Sequence, residues 1–130
     1  MLAPVLDLFP EQEYERFVQV PLGRKKLDLL CVNRTDDSET VAVELKVRDW
    51  RRALWQASID LQLAQRAYIA VWHEYAHRAE KNADLLKRYG VGLISVAPDS
   101  AAIVFKSVGR PRRIPREHKP EFYRSLLLQV

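Results

Sequence analysis

The sequence has one cysteine, no long apolar run, no internal repeat and no low-complexity segment. A single cysteine cannot form a disulfide within the chain, and Cys31 lies among apolar residues, which favours a small buried side chain over a nucleophile. No apolar run approaches the length that a membrane-spanning helix needs. The first ten residues lack a basic segment and make a poor signal peptide. We therefore expect a cytoplasmic protein with no membrane partner.

Size and charge favour one domain with an acidic partner. A chain of 130 residues, 48% hydrophobic and 29% charged, fits a single globular domain. The net charge is +4, which makes nucleic acid the first candidate partner. Residues 106–124 carry seven basic side chains against two acidic ones, so the rest is close to neutral. We expect a folded core over residues 1–109, then a basic Pro- and Arg-rich tail with a short C-terminal helix over residues 110–130.

The apolar pattern predicts strands that lead and helices that are interleaved. Two helices are expected, over residues 49–65 with Asp49 as the N-cap and over residues 76–89. The first links two strands and so resembles a crossover between parallel neighbours. The order predicts an α/β fold, a mixed β-sheet flanked by helices. The predicted strands cover residues 15–20, 26–33, 40–47, 66–72, 91–96 and 101–106.

Two of these strands carry charges where a core strand should not. Glu44 and Lys46 share one face of the apolar strand 40–47, and Asp28 interrupts the apolar strand 26–33. A carboxylate there is costly unless it is paired, hydrogen-bonded or bound to a metal. If the two strands pair, Asp28 and Glu44 converge beside Lys46. Two carboxylates with water and phosphate oxygens suit Mg²⁺, which would activate a water for attack on a phosphodiester.

Asp28, fifteen intervening residues and then Glu44-Leu45-Lys46 resemble the core of the PD-(D/E)XK nuclease superfamily, as seen in small prokaryotic members. Its members share a hairpin with these residues, followed by a crossover helix and another strand, and residues 15–96 match that layout. The resemblance implies a restriction-endonuclease-like sheet and a Mg²⁺- or Mn²⁺-dependent endonuclease that hydrolyses DNA. It also implies that Asp28 and Glu44 bind the metal, that Lys46 assists the nucleophile and that Gln56 positions it.

The sequence departs from the family pattern at two points. Leu27 stands where the motif has proline. Many members also use a glutamate from an N-terminal helix, for which this sequence offers Glu11, Glu13 and Glu15. A non-cleaving nucleic-acid-binding module on the same fold is the alternative function, although such a module has no need for a buried carboxylate cluster.

A second motif, His73-Glu74-Tyr75-Ala76-His77, matches the HExxH pattern of zinc proteases. That chemistry needs both histidines one turn apart on a helix and a third ligand downstream. The preceding residues predict a strand, so the motif is expected at a strand-to-helix junction. Arg78 follows the second histidine, and the remaining histidine, His118, lies in the basic tail. Zinc proteolysis therefore ranks third.

Arginines near the carboxylates are candidate phosphate contacts. Positive charge at the start of a helix opposes the helix dipole, which favours an anion nearby. Trp55, Ile59 and Leu63 form a second apolar stripe on the first helix, for which packing under another element is favoured over a dimer interface. A homodimer or a targeting partner protein stays open. The candidate nucleic-acid contacts are Arg48, Arg51 and Arg52, with Arg112, Arg113 and Arg116 of the tail.

Overall fold

Six strands form one mixed sheet in the computed structural model, which describes residues 1–22 and 24–109. The first three strands pair antiparallel, the third, fourth and fifth pair parallel, and the sixth is antiparallel to the fifth. This confirms the predicted α/β sheet, and the architecture is consistent with a restriction-endonuclease-like sheet. In spatial and chain order the strands are β1 (Tyr14–Leu22), β2 (Lys25–Asn33), β3 (Thr40–Lys46), β4 (Arg66–Trp72), β5 (Val91–Val96) and β6 (Ala101–Phe105).

Helices flank both faces of this sheet. In the described residues they are α1 (Leu2–Leu6), α2 (Trp50–Asp60), α3 (His73–Glu80) and α4 (Ala83–Arg88). Buried residues of α2, α3 and α4 share one apolar cluster with Ala42 of β3. Val5 of α1 belongs to the cluster of the opposite face, with Val43. Within residues 1–22 and 24–109, no helix is long and apolar enough to cross a membrane.

Helix α2 begins as predicted and ends early. The Asp49 side chain accepts a hydrogen bond from the Arg52 backbone N–H at 3.2 Å, which confirms it as the N-cap. The helix ends at Asp60 rather than at Gln65, because the chain must turn to enter β4. The Gln65 N–H donates to the Thr40 hydroxyl at 2.9 Å and fixes that turn beside β3. All six predicted core positions are buried: Trp50, Ala53, Leu54, Ala57, Leu61 and Ala64.

The single helix predicted over residues 76–89 is two helices. The first starts directly after β4, at His73, and the second starts at Ala83. The side-chain amide of Asn82 donates to the Arg78 carbonyl oxygen at 2.8 Å. An asparagine that takes a carbonyl in this way competes with the backbone donor that would continue the helix. The prediction of one helix was therefore wrong.

We predict that Asp49→Ala lowers the free energy of unfolding by about 1 kcal/mol, because the cap at the start of α2 is lost. Asp49→Asn is the matched control and should stay within a few tenths of a kcal/mol of the parent, since Asn caps as well as Asp. Urea unfolding measures both variants. Equal losses in the two variants would mean that the carboxylate charge, and not the cap, matters here.

Candidate active site

Asp28 lies where β2 and β3 stop pairing. The backbone ladder between them ends at Leu29 opposite Val43. Beyond it, Asp28 Oδ2 accepts a hydrogen bond from the Leu45 backbone N–H at 2.8 Å. Asp28 Oδ1 accepts a longer one, 3.4 Å, from Gln19 Nε2. A side-chain carboxylate therefore replaces a backbone acceptor at the end of the ladder and is directed toward β3.

Both strands of the β1–β2 hairpin are distorted at this point. Leu27 packs in the cluster that includes α2, whereas Leu29 packs in the cluster of the opposite face. Regular alternation would put these two residues on one face. Across from Asp28, Gln19 has a φ of 55°, in the left-handed region. Strand periodicity alone therefore does not describe the surroundings of Asp28.

Glu44 is the buried carboxylate of the site. Its side chain is 1% exposed, on the face of β3 that packs against α2. Glu44 Oε2 lies 3.0 Å from the Lys25 ammonium nitrogen. The same ammonium lies 2.8 Å from Asp60 Oδ1 and donates to the Gln56 carbonyl oxygen at 3.1 Å. Lys25 therefore joins the start of β2 to β3 and to the last turn of α2.

Sequence reasoning missed Lys25 and Asp60. Asp60 has no exposed surface, although it is charged and lies at the end of a helix. A signal was present, because Asp60 follows the core residue Ala57 by three positions and so falls on the predicted apolar stripe. For Lys25 no such signal exists, since its partners lie 19 and 31 residues away.

The single positive charge of Lys25 does not balance the charges of two ionised carboxylates, Glu44 and Asp60. Burial is the largest cause that raises the pKa of Glu44, and the hydrogen bond and charge of Asp60 raise it further, to about 9. The Lys25 ammonium acts in the opposite direction. Burial also lowers the pKa of Lys25, but its contacts with Asp60 and Glu44 outweigh burial and leave that pKa raised. The pair of carboxyls therefore retains one proton at neutral pH.

The other two predicted site residues, Lys46 and Gln56, lie on β3 and α2, the same elements as Glu44 and Asp60. Lys46 follows Glu44 by two positions on β3 and is half-buried. Gln56, one turn before Asp60 on α2, is half-buried too, and its side-chain oxygen is buried with no hydrogen-bond partner in the described residues. The structure thus brings Glu44 and Gln56 together around Lys25.

The acidic residues suggested for an N-terminal helix do not lie on one. Helix α1 ends at Leu6, before all three of them. Glu11 is exposed, with a carboxylate oxygen 3.6 Å from the Arg16 guanidinium. Glu15 lies in β1, opposite Val32. The sequence between α1 and β1 folds into turns, so it cannot present these glutamates from a helix.

The three arginines after β3 are exposed. The Arg48 guanidinium lies 5.5 Å from the centre of the Tyr75 ring, and that of Arg51 lies 4.6 Å from the centre of the Trp50 ring. Such contacts hold each guanidinium against an aromatic face. The tail residues Arg112, Arg113 and Arg116, with the boundary at residue 110 and the C-terminal helix, lie outside the described residues.

The HExxH segment begins at the expected strand-to-helix junction, directly after β4, but both of its histidines lie on the helix. His73 is the first residue of α3, and His77 follows one turn later. Both are exposed, and the His73 ring lies 4.8 Å from that of Trp72. Within residues 1–22 and 24–109, no three His, Cys, Asp or Glu residues are grouped to hold a metal ion. His118 lies outside that range.

Trp55 borders a surface cavity between α2 and α4. Its side chain is 67% exposed, whereas the other members of its stripe, Ile59 and Leu63, are partly buried. The cavity measures about 270 Å³ and is lined by Arg51, Leu54, Trp55, Ser58, Leu85 and Tyr89. The expected packing of this stripe under another element is therefore partial: Ile59 and Leu63 are partly covered and Trp55 is exposed.

Comparison with known proteins supports the fold. No protein-family profile and no curated protein matches the sequence. SPO1766, a solved protein of unknown function from Silicibacter pomeroyi, superposes with a TM-score of 0.64 over 95% of this chain and 79% of its own, at 19% identity. SfsA from Pyrococcus furiosus, solved with Ca²⁺, reaches a TM-score of 0.42 over 83% and 59%, at 13% identity, too distant to carry an argument. The likeness to SPO1766 shows a shared fold.

We predict that the free energy of unfolding falls as the pH rises from about 4.5 to about 9. A carboxyl with a raised pKa in the folded state stabilises that state most when it is protonated, and the contribution is lost through this window. Glu44→Gln should flatten the slope, whose limit for one proton is about 1.4 kcal/mol per pH unit. Urea unfolding at several pH values measures it. The exposed Glu80→Gln is the control, and an unchanged slope in Glu44→Gln would contradict the assignment.

Proposed function

We propose that this protein is a metal-dependent nuclease that hydrolyses phosphodiester bonds in DNA. The observation that carries the proposal is the Glu44 carboxylate, buried on an interior strand among oxygen atoms of α2. A buried ionisable group with a strongly shifted pKa costs stability, and such groups concentrate at functional sites. Asp28, Glu44 and Lys46 resemble a nuclease motif, and a role in that motif would explain why the chain keeps a buried carboxylate that costs stability.

The donor set fits a hard divalent cation. Mg²⁺ is commonly held by one or two carboxylates while water and substrate phosphate complete its shell, so a group of three acidic residues is not required. Asp28 and Glu44 would hold it, and Mg²⁺ or Mn²⁺ would then polarise the phosphate and activate a water. The buried side-chain oxygen of Gln56, which has no hydrogen-bond partner among the described residues, gives that water an acceptor.

Lys46 supplies the positive charge of the reaction. It lies two residues after Glu44 on the same strand, and thus on the same face by strand alternation. An ammonium there stabilises negative charge that develops on the phosphate, or orients the attacking water. Arg48, Arg51 and Arg52 follow within six residues and would contact the DNA backbone.

One contact favours the alternative, a nucleic-acid-binding module that does not cleave. The Lys25 ammonium lies on Glu44 Oε2, where a catalytic metal would bind. A protein that kept this ion pair permanently would retain the fold and the basic surface and lose hydrolysis. The two functions separate in one experiment, because the module binds a substrate panel without cutting any member.

We expect labelled duplex, single-stranded and branched DNA, with RNA alongside, to include a substrate that is cut with Mg²⁺ or Mn²⁺. Asp28→Asn, Glu44→Gln and Lys46→Met should each reduce cleavage about 100-fold or more. The double variant His73→Ala/His77→Ala should cleave like the parent and serves as the control for zinc chemistry. Gel assays measure the products, and thermal unfolding checks each fold. Binding without cleavage across the panel would establish the module instead.

We also expect binding to weaken with salt in proportion to the phosphate contacts. Each contact removed should lower the slope of log affinity against log salt by about 0.9 on duplex DNA. Replacing Arg48, Arg51 and Arg52 with Gln, or Arg112, Arg113 and Arg116 with Gln, should lower the slope equally on different sequences. Fluorescence anisotropy measures it. Lys81, Lys87 and Arg88 replaced with Gln form the charge-matched control, and an equal fall there would mean that net charge alone governs binding.

A further inference from the structure

Three oxygen atoms from separate parts of the chain surround the Lys25 ammonium. They are Glu44 Oε2 at 3.0 Å, the Gln56 carbonyl oxygen at 3.1 Å and Asp60 Oδ1 at 2.8 Å. An ammonium has three hydrogens to donate, so one lysine engages the whole set. Two carboxylates and a backbone carbonyl are also the oxygen ligands that hard cations such as Ca²⁺ take in proteins.

The set carries more acceptor capacity than one ammonium uses. Asp60 is completely buried, and its second oxygen, Oδ2, has no hydrogen-bond partner in the described residues. The buried Oε1 of Gln56 lies one turn earlier on α2 and also has no hydrogen-bond partner in the described residues. Buried carboxylate oxygens without partners are costly, and one ammonium balances the charge of only one ionised carboxylate. A divalent cation would balance both.

We propose that Glu44, Asp60 and the Gln56 carbonyl form a divalent-cation pocket whose cation position is filled by the Lys25 ammonium until a metal ion displaces it. The pocket shares Glu44 with the proposed nuclease site, and in that respect it rests on the proposed function. It uses Asp60, however, and needs neither Asp28 nor hydrolysis. Lys25 is then a positioning residue that competes with the metal for Glu44.

The position of Lys25 suits this exchange. It is the first residue of β2, directly after the turn of the β1–β2 hairpin, whereas the oxygen atoms belong to β3 and α2. Its ammonium is carried on a flexible four-carbon stem. A rotation of that stem opens the pocket and leaves the strands paired.

The test is Ca²⁺ binding by the full chain with Lys25→Met, which removes the ammonium and keeps the stem. Calorimetry should give a Ca²⁺ affinity at least about tenfold higher than in Lys26→Met, an exposed neighbour and the matched control. Added Ca²⁺ should also raise the melting temperature of the Lys25→Met protein, because the ligand binds the folded state. Adding Asp60→Asn to Lys25→Met should abolish both effects. Equal Ca²⁺ affinity in the two lysine variants would overturn the proposal.

Two further variants keep the result decisive. If Lys25→Met does not fold, Ca²⁺ titration of the parent should show weaker binding after Asp60→Asn than after the exposed Asp99→Asn, and equal binding overturns the pocket. Adding Asp28→Asn to Lys25→Met should lower the Ca²⁺ affinity less than adding Asp60→Asn does, because the pocket is built on Asp60. Ca²⁺ binding that depends on Asp60, in a parent protein that cleaves no member of the substrate panel, would refute the nuclease and support the pocket. Cleavage by the parent without a role for Asp60 in Ca²⁺ binding would do the reverse.

Discussion

The contact of one ammonium with two buried carboxylates is the interaction on which the rest of this site depends. Glu44 and Asp60 are 1% and 0% exposed, and the Lys25 ammonium lies between them. The contact sets the protonation of the pair, because the remaining negative charge is removed by a proton. It also fixes the positions of Gln56 on α2 and of Glu44 on β3 relative to each other. In the structure, the cation that holds these oxygen atoms is the Lys25 ammonium.

The frame around this contact is apolar and regular. Strands β3, β4 and β5 run parallel, and helices cover both of their faces. On the β1–β2 side, Gln19 and Asp28 interrupt the alternation of side chains. A backbone that departs from a regular ladder beside buried charges is common at functional sites, since strain there is supported by the surrounding packing. The parallel half carries Glu44 and Lys46 on β3, and the irregular half brings the Asp28 carboxylate to the Leu45 N–H of the same strand.

Local patterns predicted most of the fold. Strand β3 is β-branched and bounded by polar residues, and the stripe of α2 is set by residues three and four apart, so both followed from neighbours in sequence. The break at Asn82 was missed, since helix periodicity continues across it and one side-chain bond decides the outcome. For the site, the buried charge of Glu44 was evident from its strand. Asp60 was missed although its position on the apolar stripe of α2 was a signal. Lys25 was not evident, because its partners come from distant segments that meet only in the folded chain.

The early end of the β2–β3 ladder has a mechanical consequence. Backbone pairing holds the hairpin to β3 only from Leu29 to Val32, so its far end is attached by side chains. Val20 and Leu27 contribute apolar packing there, and Lys25 contributes ion pairs to Glu44 of β3 and Asp60 of α2. A cation that released Lys25 would leave that end attached to β3 by the Asp28–Leu45 hydrogen bond and by apolar contacts. The conformation of the hairpin's outer surface would then depend on which cation the buried carboxylates bind.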